Sequence, residues 1–193
     1  MNEQKKHSKI YKIDGVGVNL DKFKPCSPME KVQLRSELGY SNDDFIITVV
    51  AELNKNKNQL MLIRNISVLK QHIPNLKILL IGKETLPLAR NSVTEKNLFD
   101  TVSFLGYRND VDKLTAISDV AFSASLREGL PVNIIEAMAC GIPVVCSDNR
   151  GHRSLIKHGV TGFIFSSKSD QDMNNTIITL YNSPELRSSM GKN

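Results

Sequence analysis

The chain has 193 residues and a formal net charge of +5 at pH 7, from 25 basic and 20 acidic side chains. This length is enough to bury a full core and predicts one domain. Apart from Lys5 and Lys6, the basic residues are dispersed and form no stripe interleaved with aromatics, which argues against nucleic-acid binding. The N-terminus has no apolar signal core, and no window reaches the roughly eighteen apolar residues of a membrane span.

The cysteines and histidines indicate neither disulfides nor a metal site. Cys26, Cys140 and Cys146 are odd in number and lack C-x-x-C spacing, which is typical of a protein kept in a reducing cytoplasm. Cys140 and Cys146 flank an apolar run and are expected to be small core residues. The four histidines are scattered, so we predict no metal site.

Apolar runs and helical periods alternate along the chain. Runs rich in Val and Ile predict strands at 45–51, 76–81, 101–105, 119–124, 142–146 and 162–165. Helical patterns follow at 58–72, 86–99, 110–117, 131–140, 151–157 and 169–181. This order predicts an α/β fold with a doubly wound, Rossmann-like parallel sheet. Ligands of such sheets bind beyond the carboxyl ends of the strands, where the loops 52–57, 82–84, 106–109, 125–131 and 147–153 are expected.

Residues 127–145, REGLPVNIIEAMACGIPVV, are the most informative stretch. Glu128 is expected in a loop, because Gly129 follows it, and Pro131 suits the first position of a helix that Gly141 ends. Glu136 then lies about one and a half turns inside that helix. Two carboxylates and the free N–H groups of a helix N-terminus would suit a ligand with a phosphate and several hydroxyls, such as a nucleotide sugar.

This stretch resembles the E-x7-E signature of the retaining GT-B glycosyltransferases, in particular glycosyltransferase family 4, whose members read EG-x-P-x4-EAMA-x-G-x-PV. The resemblance implies that residues 1–193 form the nucleotide-sugar-binding, C-terminal half of a GT-B fold. The alternative is a buried βα unit with two incidental acids. In the family, the residue at Glu128 binds hydroxyls of the transferred sugar and the residue at Glu136 holds the ribose diol. Gly129, Leu130 and Pro131 would form the loop whose first two N–H groups bind the distal phosphate. A structural ion pair is the alternative for Glu136.

Residues 50–59, VAELNKNKNQ, resemble the G-E-L-N-K-N-K-N segment of a capsule and exopolysaccharide branch of the family. The resemblance gives Lys57 a phosphate-binding role, catalytic together with Glu128. Glu52 stands where other members carry an Arg, and Lys55 could compensate for it. The alternative is that both lysines belong to a solvated loop.

Tyr107 follows a predicted strand, in a loop that resembles the one that receives the nucleobase. It could stack on the base or simply cap the surface. Residues 147–156 resemble the SDxRGHRELI segment of the same branch, with Ser154 in place of an acid. His152 and Arg153 are expected to stabilise a loop or an interface and not to be catalytic.

Residues 13–25 resemble the hinge that leads into the second domain of these enzymes, and residues 183–193 resemble the start of the helix that crosses back. We therefore expect a truncated or naturally shortened chain without the N-terminal acceptor domain, inactive in transfer by itself. The full enzyme would transfer a sugar, with a UDP-sugar as the expected donor, to a glycan or lipid-linked acceptor in surface polysaccharide biosynthesis. It would need no cofactor and would be cytoplasmic, with peripheral association at the inner face of the membrane.

Two other functions are compatible with parts of this sequence. The first is a non-catalytic donor-binding module that needs a separate acceptor-domain chain. The second is a nucleotide-dependent dehydrogenase or a sugar epimerase. It is disfavoured because AELNKN stands where dehydrogenases carry G-x-G-x-x-G after the first strand.

Overall fold

A computed structural model describes residues 16–193. Lys5, Lys6 and the first residues of the segment 13–25 lie outside the described residues. The described chain contains one six-stranded, all-parallel sheet with the order β3-β2-β1-β4-β5-β6. The strands are β1 Phe45–Val50, β2 Leu76–Ile81, β3 Val102–Gly106, β4 Val120–Ser123, β5 Val144–Ser147 and β6 Gly162–Phe165.

Helices join the strands and cover both faces of the sheet. They are α1 Pro28–Glu37, α2 Leu60–Arg64, α3 Ile66–His72, α4 Leu88–Glu95, α5 Val111–Ala116, α6 Val132–Ala139, α7 Arg150–Leu155, α8 Asp170–Asn182 and α9 Pro184–Lys192. The predicted α/β, Rossmann-like fold is confirmed. The strand order reverses between β1 and β4, which pair directly through Ile47 and Val120. In sheets of this kind, the crevice at the reversal point is the usual ligand site.

The sheet is buried on both faces, which explains why its strands read as continuous apolar runs. On one face, Ile47 and its neighbours pack into a core cluster with residues of α2, α3 and α8. On the other face, Ile46 packs with Leu114 of α5. Cys140 and Cys146 are both buried, as the sequence predicted.

Helix α1 was not predicted, although its start carries a sequence signal. The Ser27 hydroxyl accepts a hydrogen bond from Glu30 N at 3.2 Å, and the Glu30 carboxylate accepts one from Ser27 N at 2.7 Å. This reciprocal pair is a capping box, and Pro28 follows at the first helical position.

One predicted helix is divided and another is shorter than expected, and an asparagine accounts for each difference. The helix predicted over 58–72 is divided at Asn65, whose amide donates to Met61 O at 2.8 Å and accepts from Asn174 at 3.0 Å. These bonds compete with the regular helical pattern at that point. The helix predicted over 86–99 spans only Leu88–Glu95, and Asn97 follows in the left-handed region with φ 50°.

Candidate functional site

The loops that follow β1 and β4 meet at the carboxyl edge of the sheet, where the strand order reverses. Lys57 lies in the first loop and Glu128 in the second, and the Lys57 Nζ atom is 2.5 Å from Glu128 Oε1. Their side chains are 25% and 12% exposed, so the ion pair is open to solvent on one side only. Two residues that the sequence assigned to one site are therefore in direct contact.

Hydrogen bonds fix the two loops to each other. Leu126 N donates to Asn56 O at 2.8 Å, and the Asn56 amide donates to Arg127 O at 3.1 Å. The Asn54 carboxamide oxygen accepts from Lys57 N at 3.0 Å. Sequence reasoning missed the role of Asn56, because nothing local to the NKNKN run shows that it reaches a loop about seventy residues away.

The Lys57–Glu128 contact helps to lower the pKa of the Glu128 carboxyl. Burial acts to raise the pKa of Glu128, but the hydrogen bonds from Lys57 and Ser125, together with the positive charge of Lys57, outweigh it and hold the pKa below its ordinary value. Glu128 is therefore ionised at neutral pH. The Glu128 carboxylate and the Lys57 ammonium group therefore lie next to each other, near the N-terminus of α6.

The N-terminus of α6 opens toward the same edge. Pro131 is the N-cap residue, with φ −77° and ψ 98°, so the prediction that it occupies the first helical position was wrong by one residue. Pro131 has no N–H, and its extended ψ places it just outside the helix. Within residues 16–193, the backbone N–H groups of Gly129 and Leu130 have no hydrogen-bond acceptor. A Cβ added at Gly129 would meet nothing within 4 Å, so the backbone there is approachable.

Glu136 lies on α6 as predicted and is half-buried. Burial raises the pKa of its carboxyl, and the charge of Lys22 only partly opposes this. Across the described residues, no salt bridge involves Glu136, which removes the structural ion pair as an explanation for this acid.

Tyr107 extends from the loop after β3 and is 82% exposed. It lines an open cavity of about 580 Å³ together with Lys22, whose ammonium donates to Asn109 O at 2.9 Å. Glu52 and Lys55 are exposed, and Lys55 lines a separate, smaller cavity together with Leu53 and Leu86. Whether Lys55 replaces the Arg lost at Glu52 stays a prediction.

The segment 147–152 forms the remaining wall behind Glu128. His152 is fully buried, with its Nδ1 atom 2.7 Å from Ser147 O, in agreement with a loop-stabilising role. Arg153 is exposed and forms a salt bridge with Asp148.

Among residues 16–193, no cluster of three His, Cys, Asp or Glu side chains could hold a metal ion. Over the same range, no helix is long and apolar enough to cross a membrane.

The sequence and the fold both match known proteins. Residues 30–193 match the family described as glycosyl transferases group 1. EpsD of Bacillus subtilis (strain 168), named as a glycosyltransferase, is 37% identical over 190 residues, which are 98% of this chain and 50% of EpsD. A galactosyltransferase of Escherichia coli is 30% identical over 167 residues, 84% of this chain and 43% of that protein. It is named for transfer from UDP-Gal to α-D-GlcNAc-diphosphoundecaprenol.

Among solved structures, Anabaena HepE in complex with UDP and glucose superposes with a TM-score of 0.82 and 29% identity, over 92% of this chain and 49% of HepE. HepE in complex with UDP-glucose gives the same TM-score and identity. The chain thus spans about half the length of the relatives it matches.

Proposed function

This chain belongs to the group 1 glycosyl transferases, and we propose that it is the C-terminal, donor-binding half of a retaining GT-B enzyme of family 4. The donor is a nucleotide sugar, and its diphosphate binds between Lys57 and the N-terminus of α6. The observation that carries this proposal is the meeting of Lys57, Glu128 and the unpaired N–H groups of Gly129 and Leu130 at the point of strand reversal. A cation and a helix N-terminus on one side of a crevice favour a phosphate anion.

Each carboxylate receives a different part of the donor. Glu128 accepts hydrogen bonds from hydroxyls of the transferred sugar, and its ionised state at neutral pH suits an acceptor-only role. Glu136, deeper on α6 and without an ion-pair partner in the described chain, accepts from the two ribose hydroxyls. Tyr107, exposed beside the open cavity after β3, stacks on the nucleobase.

The chemistry that these groups supply is electrostatic. As the bond between the sugar and the diphosphate breaks, negative charge grows on the leaving phosphate. Lys57 and the N-terminus of α6 stabilise that charge, and their positions are fixed before the reaction by the bonds of Asn56 and Asn54. Lys57 and Glu128 are therefore the catalytic residues of this proposal. No metal or other cofactor enters the proposed step.

Relatives suggest the donor and acceptor classes. HepE was crystallised with UDP and with UDP-glucose, and the Escherichia coli relative is named for a UDP-sugar donor and a lipid-diphosphate acceptor. We infer a UDP-sugar as donor and a glycan or lipid-linked acceptor of surface polysaccharide synthesis. Work at the inner face of the membrane, with peripheral association of the full enzyme, is part of the same proposal.

A calorimetric screen tests the donor class. UDP, GDP and ADP, each alone and as its glucose conjugate, are titrated into the chain, with Glu128→Gln and Lys57→Met as variants. We expect UDP compounds to bind best, Lys57→Met to weaken all diphosphates, and Glu128→Gln to weaken only the sugar conjugates. Absence of binding by every nucleotide would contradict the proposal. If the full enzyme binds donor but transfers no sugar, the second candidate, a non-catalytic donor-binding module, takes its place.

A further inference from the structure

The segment 147–152 supports the Glu128 loop from behind. The Ser147 hydroxyl donates to Ser125 O at 2.6 Å, and the Asn149 amide donates to the same oxygen at 2.9 Å. Two residues beyond Asn149, in the first turn of α7, a Cβ added at Gly151 would lie 2.7 Å from Glu128 Cβ and 2.8 Å from the carbonyl oxygen of Glu128. The Glu128 backbone is therefore seated on the first turn of α7 with no space between them.

His152 lies at the centre of this support. It is 0% exposed, its Nδ1 atom is 2.7 Å from Ser147 O and 2.8 Å from Asn149 Nδ2, and its backbone N–H donates to Asn149 Oδ1 at 3.0 Å. The carbonyl can only accept and the amide can only donate, so Nδ1 satisfies one of them in either tautomer. The imidazole thus bonds to one of the two residues that donate to Ser125 O, and the His152 backbone N–H holds Asn149 in either case.

The other ring nitrogen, Nε2, differs from Nδ1 in its hydrogen bonding. Nε2 of His152 is buried and has no hydrogen-bond partner in the described part of the chain. An unpaired polar atom in the interior costs about 1–3 kcal/mol, so a fold selected for stability alone would favour an apolar residue here. Burial lowers the pKa of His152, and the charges of Glu128 and Lys57 act on it in opposite directions. The ring is therefore neutral and within electrostatic reach of the ion pair.

We propose that His152 is a positioning residue of the donor site: through Ser147, Asn149 and Ser125 it holds the Glu128 carboxylate where the transferred sugar is recognised. Because it is fully buried, His152 touches no substrate, and it acts through Glu128. This inference rests on the proposed function, in which Glu128 binds the sugar and not the nucleotide. Disturbing His152 then weakens recognition of the sugar and leaves recognition of the nucleotide unchanged.

The test uses His152→Leu, which removes both ring nitrogens, and His152→Asn, whose amide can replace Nδ1. Arg153→Ala is the matched control, because it removes an exposed side chain from the next position of the same helix. For each variant, the dissociation constants of UDP and UDP-glucose are measured by calorimetry, alone and combined with Glu128→Gln, and the free energy of unfolding is measured in parallel. We expect His152→Leu to weaken UDP-glucose by about tenfold with UDP within about twofold, and His152→Asn to restore most of the loss. In the Glu128→Gln background, His152→Leu should add less than about twofold.

Three results would overturn the inference: equal weakening of UDP and UDP-glucose, loss of unfolding free energy with no change in their ratio, or an undiminished effect in the Glu128→Gln background. If His152→Leu does not fold, Ser147→Ala takes its place, because it removes the hydroxyl that donates to Ser125 O, and an unchanged ratio of the two dissociation constants in that variant contradicts a positioning role. The two proposals fail separately. If Glu128→Gln alone leaves the ratio unchanged, the sugar-binding role of Glu128 is wrong. If Glu128→Gln changes the ratio and neither His152 variant does, only the positioning role is wrong.

Discussion

The Nζ atom of Lys57 lies 2.5 Å from Oε1 of Glu128, although 71 positions separate the two residues in the chain. The contact exists because β1 and β4 are neighbours in the sheet, and each residue lies in the loop that follows one of these strands. In the proposed complex, the diphosphate replaces Glu128 as the partner of Lys57, and the Glu128 carboxylate then accepts hydrogen bonds from sugar hydroxyls. The ion pair therefore keeps two charged groups ordered in the free protein.

Replacing Lys57 by Met should weaken UDP binding by about tenfold to a hundredfold, since a hydrogen bond to a charged group contributes about 1.5–3 kcal/mol. Uridine, which has no phosphate, should bind equally well to both proteins. Calorimetric titration of UDP and uridine measures the difference. Lys55→Met is the matched control, because Lys55 is exposed and lines another cavity. Equal losses for UDP and uridine would remove Lys57 from the phosphate site, and a loss of UDP affinity in the control would support compensation by Lys55.

The ion pair should also stabilise the fold in a pH-dependent way. The pKa of Glu128 is lowered in the folded protein, so its contribution is present above the ordinary value of 4.5 and is lost as the pH falls through the folded pKa. A double-mutant cycle of Lys57→Met and Glu128→Gln, followed by urea unfolding, should give a coupling of about 1–3 kcal/mol at pH 7, between exposed and buried pairs. The coupling should vanish well below pH 4.5. A coupling that persists in acid would show that the two residues interact through something other than their charges.

Glu136→Gln should weaken the binding of UDP and stabilise the fold at pH 7. Burial raises the pKa of Glu136 above its ordinary 4.5, so this carboxyl favours folding below that pH and opposes it as the pH rises through the folded pKa. At pH 7 the variant should therefore unfold at a higher denaturant concentration than wild type, and the gain should disappear in acid. UDP should bind about tenfold more weakly to it, while 2′-deoxy-UDP loses less. A destabilised variant at pH 7 would instead assign Glu136 a structural partner.

Gly151→Ala tests the contact between α7 and the Glu128 loop. The new methyl group would lie 2.8 Å from the Glu128 carbonyl oxygen, and backbone atoms must move to admit it. Overpacking of this kind costs about 1–3 kcal/mol. We expect that loss in unfolding experiments together with weaker binding of UDP-glucose. Gly17→Ala is the control, because a Cβ there meets nothing within 4 Å. Wild-type stability and affinity in Gly151→Ala would mean that the Glu128 loop is not fixed by α7.

The sequence predicted the sheet because buried parallel strands leave an unambiguous apolar signal, as in residues 45–51. The sequence also predicted one site for Lys57 and Glu128, because the topology of such sheets places the loops after the strands at one edge. The break at Asn65 was missed because it depends on Asn174, a partner in a distant helix. Helix α1 differs, because its start carries a capping box of Ser27 and Glu30 but its residues are mostly polar, with Arg35 the one buried side chain, and give no apolar stripe.

The support behind Glu128 could be predicted only in part. The 147–156 segment indicated that His152 stabilises a loop, but not which loop. That information depends on the bonds of Ser147 and Asn149 to Ser125, which join two segments through tertiary packing. The contact between Gly151 and Glu128 is likewise not predictable from the sequence. A glycine that is required because another backbone approaches it cannot be distinguished, in the sequence alone, from a glycine that is required by a turn.

The 193 residues should bind a UDP-sugar, yet transfer no sugar to an acceptor when they are assayed alone. The chain spans about half the length of the relatives it matches, and the proposed site contains donor-binding groups only. Holding donor and acceptor together can lower a barrier by about 7–11 kcal/mol, and a donor exposed to bulk water also loses its dry, preorganised surroundings.

Incubation with UDP-glucose and a lipid-diphosphate-linked N-acetylglucosamine, followed by mass spectrometry, should therefore show at most slow release of free glucose. The Lys57→Met variant should abolish even that release, which distinguishes it from spontaneous hydrolysis. Efficient transfer by the 193 residues alone would contradict the assignment of this chain to the donor half of a two-domain enzyme.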